Sequence, residues 1–173
     1  MYRLKLNING YAQHGKDTIA DLFVERHGFK KVSASMVYAE DIRNEQYLGP
    51  YATVEDCYED RVNHRQAWYE FICKKLEENP SYYIDKILKT GDIYVGQRNP
   101  IIFEKTKDAF DYTIWVDASG RGMPKESYNS CKMSPDTPHD FYIDNTKQDW
   151  AIEQVDFIMA LINNKRNACN AYS

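Results

Sequence analysis

The chain has 173 residues, 43% hydrophobic and 28% charged, a composition that fits one ordinary globular domain and excludes a low-complexity or natively disordered polypeptide. Its 22 basic and 26 acidic residues leave a net charge of −4, so a global basic footprint for a long nucleic-acid duplex is absent, although a local basic cleft is compatible with that total. No apolar run reaches the length of a membrane span and the opening Met-Tyr-Arg-Leu-Lys has no signal-peptide core, so the expectation is a cytoplasmic protein without membrane partners.

Leu4, Leu6 and Ile8 alternate as a short strand, and Ile19, Leu22 and Phe23 recur at helical spacing. Between them lies Gly10-Tyr11-Ala12-Gln13-His14-Gly15-Lys16-Asp17-Thr18. A Gly10-x4-Gly15-Lys16 turn joining a strand to a helix has the layout of a phosphate-binding loop. Its glycines let backbone N–H groups close around phosphate oxygens, its lysine neutralises the outer phosphates, and the helix N-terminus adds its dipole. Gly10, Gln13, His14, Gly15, Lys16, Asp17 and Thr18 are therefore the candidate ATP-binding residues. The position after the lysine, where a Ser or Thr usually binds Mg²⁺, holds Asp17. The segment is read as a Gly-Lys-x-Thr variant in which Thr18 meets Mg²⁺ directly or through water.

His27-Gly28 ends the first helix, and Phe29 to Ser33 alternates as a second strand. Ser35 is the predicted cap of a helix running to about Tyr47, before Gly49-Pro50 breaks the pattern. Ala67, Trp68, Phe71, Ile72 and Leu76 make a helical stripe stopped by Asn79-Pro80, and Tyr83, Ile84, Ile87 and Leu88 make a shorter one. Ile93 to Gly96 is a third strand, Gln97-Arg98-Asn99-Pro100 a turn, Ile101 to Lys107 a helix, and Tyr112 to Val116 a fourth strand. The aperiodic stretch 117–140 is long for a loop in a compact domain and is read as a lid-like segment. Phe141 to Asp144 is the last strand, and Trp150 to Ile162 carries a closing helix whose polar continuation from Asn163 is predicted to fray.

Strands alternating with helices predict an α/β fold, doubly wound, with a mainly parallel five-stranded sheet and helices on both faces, in a single domain over residues 1–173. Ligands of such sheets bind beyond the carboxyl ends of the strands, and Lys16, Arg98 and the loop from Asp117 all fall at such ends. Cys57, Cys73, Cys131 and Cys169 are widely spaced and the four histidines are scattered, so reduced thiols are expected and no protein-held transition metal.

This order of motifs resembles the P-loop kinases of small substrates, above all the phage deoxynucleoside monophosphate kinases. Gly15-Lys16-Asp17-Thr18 matches their Gly-Lys-Asp-Thr loop, Ile93 to Arg98 their arginine-ended strand, and Asp140 to Asn145 their Asp-x-x-Ile-x-Asn, with Ile143 in place. The resemblance implies a P-loop NTPase fold of the nucleoside monophosphate kinase type, ATP and Mg²⁺ as cofactors, and a deoxynucleoside monophosphate as acceptor, in the host cytoplasm if the chain is phage-encoded. Two aspartates usual in that family fall instead at Gly96-Gln97 and near Ser35, leaving Asp17, Asp41 and Asp117 as candidates for a metal-organising or proton-accepting carboxylate. Ile114-Trp115-Val116-Asp117, Arg121 and Pro124 are also similar to a second group, short phage kinases of the hydroxymethyl group of 5-hydroxymethyluracil in DNA. Both acceptors stay open. A third reading, a nucleotide-binding regulator that transfers nothing, is suggested by the displaced aspartates.

Phosphoryl transfer asks a protein mainly for positioning and charge stabilisation, which assigns catalytic roles to Lys16, Arg98 and Arg121. Arg98 suits the transferred or acceptor phosphate because a guanidinium meets phosphate oxygens bidentately, while Arg121 would close over ATP as a lid residue. Arg61 and Arg65, one turn apart if helical, are candidates to face the acceptor together. Tyr38, Trp68 and Tyr69 are candidates to stack on a base, with Trp68 equally at home in the helical stripe.

Overall fold

The computed structural model describes residues 3–122, 125 and 131–171. Among these, four parallel strands form one sheet in the order β2-β1-β3-β4, with β1 Leu6–Asn9, β2 Ile93–Val95, β3 Tyr112–Asp117 and β4 Phe141–Asp144. The register pairs Ile8 with Val95 on one side and with Ile114 on the other, and pairs Val116 with Ile143. The expected second strand contributes only a bridge from Lys31 to Ile93 at the β2 edge. β2 is three residues long, too short to template a fifth full ladder, and the segment is tied down by Asp92 N–H donating to Lys30 O at 2.7 Å.

One face of the sheet is covered by α1 (Lys16–His27) and α7 (Gln148–Ala171). Ile19, Ala20 and Phe23 of α1 and Val155, Ile158 and Ile162 of α7 pack with Leu6, Ile8, Ile114 and Ile143, all buried. Each of the larger aliphatic and aromatic side chains among them contributes roughly 1.5–3 kcal/mol of transfer free energy. On the other face, Tyr94 packs with Ile84 and Ile87 of α5 (Tyr82–Leu88), and Trp115 packs with Phe103 of α6 (Pro100–Thr106). Alternation along the parallel strands thus feeds two cores.

A helical outcrop stands beside this sandwich. In it, α2 (Ala34–Asn44), α3 (Val54–Asp60) and α4 (Arg65–Glu78) gather Ala39, Ile42, Cys57, Trp68 and Phe71 into their own buried cluster. The cap of α2 is Ser33 rather than Ser35: its Oγ accepts from Met36 N, so the helix starts two residues earlier than expected and ends at Asn44. Helix α3 has seven residues and is started by a capping box in which Thr53 and Asp56 satisfy each other's backbone N–H groups. At the other end of the chain, α7 continues past Asn163 through Ala171 instead of fraying.

The long connection after β3 is less open than its composition implies. Its Cys131 and Met133 are buried with Tyr11, Phe103 and Trp115, and Lys132 N donates to Arg98 O at 3.0 Å. Pro124 lies outside the described residues. No disulfide links Cys57, Cys73, Cys131 and Cys169, and among the described residues no helix is long and apolar enough to cross a membrane.

Candidate functional site

β1 ends at Asn9, and the chain turns through Gly10, packed against Val116 O, into α1. Within the turn Gln13 takes a left-handed conformation at φ 62°, rare for a residue with a side chain and a mark of a loop held in shape by its surroundings. Those surroundings are specific. Tyr11 packs edge-on against Trp115 and His14, each at 5.3 Å between ring centroids. His14 is fully buried and its Nδ1 accepts from Ala118 N at 2.9 Å, which anchors the loop to the end of β3. Asn145 Nδ2 donates to His14 O at 2.9 Å, anchoring it to the end of β4 as well.

Helix α1 begins with Gly15 as its N-cap, so no side chain caps its first turn. A helix N-terminus of this kind presents N–H groups and a positive dipole end to an anion. Lys16 opens the helix, nine-tenths buried, with Nζ donating to Tyr11 O at 2.7 Å and its stem passing beside Gly96 at the end of β2. The donor set suits a phosphate group: a loop backbone, one lysine and an uncapped helix end.

In front of Lys16 a cleft of 1270 Å³ opens between the carboxyl ends of β1 and β2 and the α3–α4 corner. Nine of the sequence candidates line it: Gln13, Lys16, Asp17, Tyr38, Arg61, Arg65, Trp68, Tyr69 and Arg98. The lining also includes Lys31, Lys105 and Lys132, giving seven cationic residues against only Asp17 and Glu77. In a chain of net charge −4 this concentrates positive potential at one place and fits an anionic ligand.

Arg61 and Arg65 do not share a helix as the spacing suggested. Arg61 caps the end of α3, with its guanidinium 3.7 Å from the Tyr58 ring centroid and Nη1 bonded to Tyr58 O, while Arg65 opens α4 and is exposed. The turn between the helices still brings both to the cleft. Trp68 has two aspects, since it belongs to the outcrop's core at 6% exposure yet borders the cleft, and its indole Nε1 lacks a partner. Tyr38 and Tyr94 share a hydroxyl–hydroxyl contact of 3.2 Å on the cleft wall, and burial pushes both phenols up, so they stay neutral.

Arg121 is placed apart from the cleft lining, in a 3-10 turn over the loop, with its guanidinium beside Gly15. Thr18 is exposed in the first turn of α1. Of the three candidate carboxylates only Asp17 reaches the cleft, ion-paired to Lys31 at 3.0 Å. Asp117 accepts from Ser119 Oγ at 2.7 Å, and Asp41 is buried against Lys86. Among the described residues no three His, Cys, Asp or Glu side chains gather into a metal-holding group. For Mg²⁺ the fitting donors are Thr18 and Asp17 together with waters and nucleotide phosphates, the arrangement a hard, strongly hydrated ion favours.

Sequence reasoning missed a polar chain behind Arg98. His139 Nδ1 lies 2.6 Å from Thr137 O, a carbonyl that only accepts, so Nδ1 carries the proton and Nε2 is left to accept from Asn9 Nδ2 at 3.2 Å. Asn9 Oδ1 then accepts from Gln97 N at 3.0 Å, and Gln97 Oε1 accepts from Arg98 N at 3.0 Å and Asn99 N at 3.3 Å. This chain needs a neutral His139, and burial of the ring lowers its pKa below the ordinary 6.5. Unfolding therefore takes up a proton below about pH 6.5, so this group's contribution is complete above that value and is lost as pH falls. The melting temperature is expected to drop between about pH 7.5 and about pH 5.5, and to drop less over the same interval in His139→Phe, measured by circular dichroism.

No family model matches the sequence, and no curated protein matches it. Among solved structures, the crystal structure of TT1252 from Thermus thermophilus is similar, with a TM-score of 0.50 over 95% of this chain and 98% of that one at 12% identity. At that identity the likeness bears on the fold alone. The chain is an α/β protein with a four-stranded parallel sheet flanked by helices.

Proposed function

We propose that the chain is an ATP-dependent phosphotransferase of the P-loop, nucleoside monophosphate kinase-like type, with a deoxynucleoside monophosphate as acceptor. The observation that carries this reading is that Lys16, at the uncapped start of α1, looks onto the same cationic cleft as Arg98, Arg61 and Arg65. The strand order supports it too. The chain leaves β1 for β2 on one side and crosses back to β3 on the other, and the loop sits at the crevice this reversal creates. The lone bridge at Lys31 extends the order by one rudimentary edge strand, as a doubly wound five-stranded sheet would.

In this reading the loop from Gly10 to Thr18 would hold the ATP phosphates, and Thr18 and Asp17, with waters, would hold Mg²⁺, which would neutralise phosphate charge. An acceptor phosphate oxygen attacks the γ-phosphorus while the bond to the β,γ-bridging oxygen breaks. Lys16 and Arg98 neutralise charge on the transferred group, and Arg121 covers the loop against water. A monophosphate is already an anionic nucleophile, so the cleft's poverty in carboxylates costs nothing. Arg98→Ala is expected to lower kcat by about 10²–10³-fold with an unchanged melt. An unaltered rate would remove Arg98 from the site.

One observation favours a second acceptor: Lys105 and Lys132 extend the cationic lining beyond what ATP and one monophosphate require, which would suit the backbone of DNA carrying 5-hydroxymethyluracil. Incubation with Mg²⁺ and γ-labelled ATP against free deoxynucleoside monophosphates and against such DNA decides between them. Label in a diphosphate supports the first reading and label retained in DNA the second. Bound ATP with label in neither supports a nucleotide-binding regulator.

A further inference from the structure

We infer that Gln97, held by Asn9 and through it by His139, is a positioning residue that fixes Arg98 relative to the phosphate loop; this rests on the kinase reading above. Asn9 is the last residue of β1 and directly precedes Gly10, so it belongs to the root of the loop. It is fully buried, and both ends of its amide are used, Nδ2 toward His139 and Oδ1 toward the Gln97 backbone. The two bonds fix its orientation. Exchanging its oxygen and nitrogen would set a donor against Gln97 N–H and an acceptor against the Nε2 lone pair.

Gln97 in turn is 6% exposed, and its Oε1 collects the N–H groups of the next two residues. One side-chain oxygen thereby closes the backbone turn that carries Arg98 and starts α6, where Asn99 is the N-cap. From the far side, Lys132 N donates to Arg98 O. The Arg98 backbone is thus gripped at its N–H and its C=O, while its side chain is exposed on the cleft. A rigid base under a long, exposed guanidinium is what a phosphate contact needs, because a displacement of an ångström at the reacting group costs large factors in rate.

The β1–β2 register makes this connection: Ile8 opposite Val95 brings the ends of the two strands together, so that Asn9 meets Gln97. The inference also explains why an uncharged side chain stands at the start of the arginine turn. Its work is to accept two backbone N–H groups, which needs an oxygen and no charge.

The test is a pair of variants, Gln97→Met, which keeps length and removes the acceptor, and Gln97→Glu, which keeps it. Amide exchange of Arg98 and Asn99 is read by NMR in the unliganded protein, and kcat and acceptor KM by label transfer. In Gln97→Met both amides are expected to exchange faster, kcat to fall by about 10- to 100-fold, and the affinity for ATP to hold. Gln97→Glu recovers the slow exchange and most of the rate. Native exchange or native kcat in Gln97→Met overturns the inference. A native protein that transfers label to no acceptor defeats the kinase reading instead, and the exchange difference then supports the positioning of Arg98 by itself.

Discussion

Lys16→Ala is expected to lower phosphoryl transfer from ATP by about 10³-fold or more, the scale seen when a principal charge-stabilising group is removed from a phosphate site. The geometry leaves little room for substitution. Lys16 is nine-tenths buried, its ammonium is held at 2.7 Å by Tyr11 O, and its stem runs beside Gly96, so the charge sits at a fixed point of the cleft. Arginine is longer and forked, and Lys16→Arg is expected to rescue only a small part of the rate. The fold should survive, because α1 is held to the sheet by Ile19, Ala20 and Phe23. Label transfer at saturating ATP, with a melt to verify folding, is the measurement. A turnover within about twofold of the native rate would sink the phosphate-loop reading.

What the sequence disclosed about the site follows from how local each signal is. The loop was legible because its parts are contiguous: two glycines at fixed spacing, a lysine, and a strand and helix with opposite periodicities on either side. The placement of Arg98 beyond a strand end was legible because it follows a compact apolar run. The α4 stripe was legible because fourteen residues give the period time to repeat. Helix α3 was not, since seven residues barely complete two turns, although Thr53-x-x-Asp56 carried its start signal.

The Asn9–Gln97–His139 chain was illegible for a deeper reason. Asn9 and Gln97 are 88 positions apart and Asn9 and His139 are 130 apart, and they meet only through strand register and the packing of the segment before β4. Amides buried in this way look like ordinary polar loop residues until their partners are in place. The Arg61–Arg65 pair shows the converse. Their spacing suggested one helix face, and they reach the same cleft through a break between two helices. The segment from Cys131 to Asp140 looked like part of a lid on composition alone. The structure buries Cys131 and Met133 there and packs the His139 ring on Trp115, contacts that composition does not carry.

Gly15→Ala is expected to damage the loop strongly, and the reason can be separated into two parts. Gly15 sits at φ +87°, where a side chain costs about 1–2 kcal/mol. The new Cβ would also land on Asn145 Nδ2, which donates to the buried His14 O, and displacing that donor adds about 1–3 kcal/mol. Gly28→Ala is the control, because Gly28 is left-handed too, at φ +71°, but a Cβ there meets nothing within 4 Å. It should show only the backbone part, about 1 kcal/mol in a urea titration, with native transfer activity. Asn145→Ala completes the comparison. If the collision is real, Gly15→Ala and Asn145→Ala are strongly non-additive, the double variant being little less stable than Asn145→Ala plus the backbone cost. Additive losses would mean that the loop relaxes around the methyl group without disturbing Asn145. The anchoring of the loop to β4 would then contribute less to the shape of the proposed phosphate site than the geometry implies.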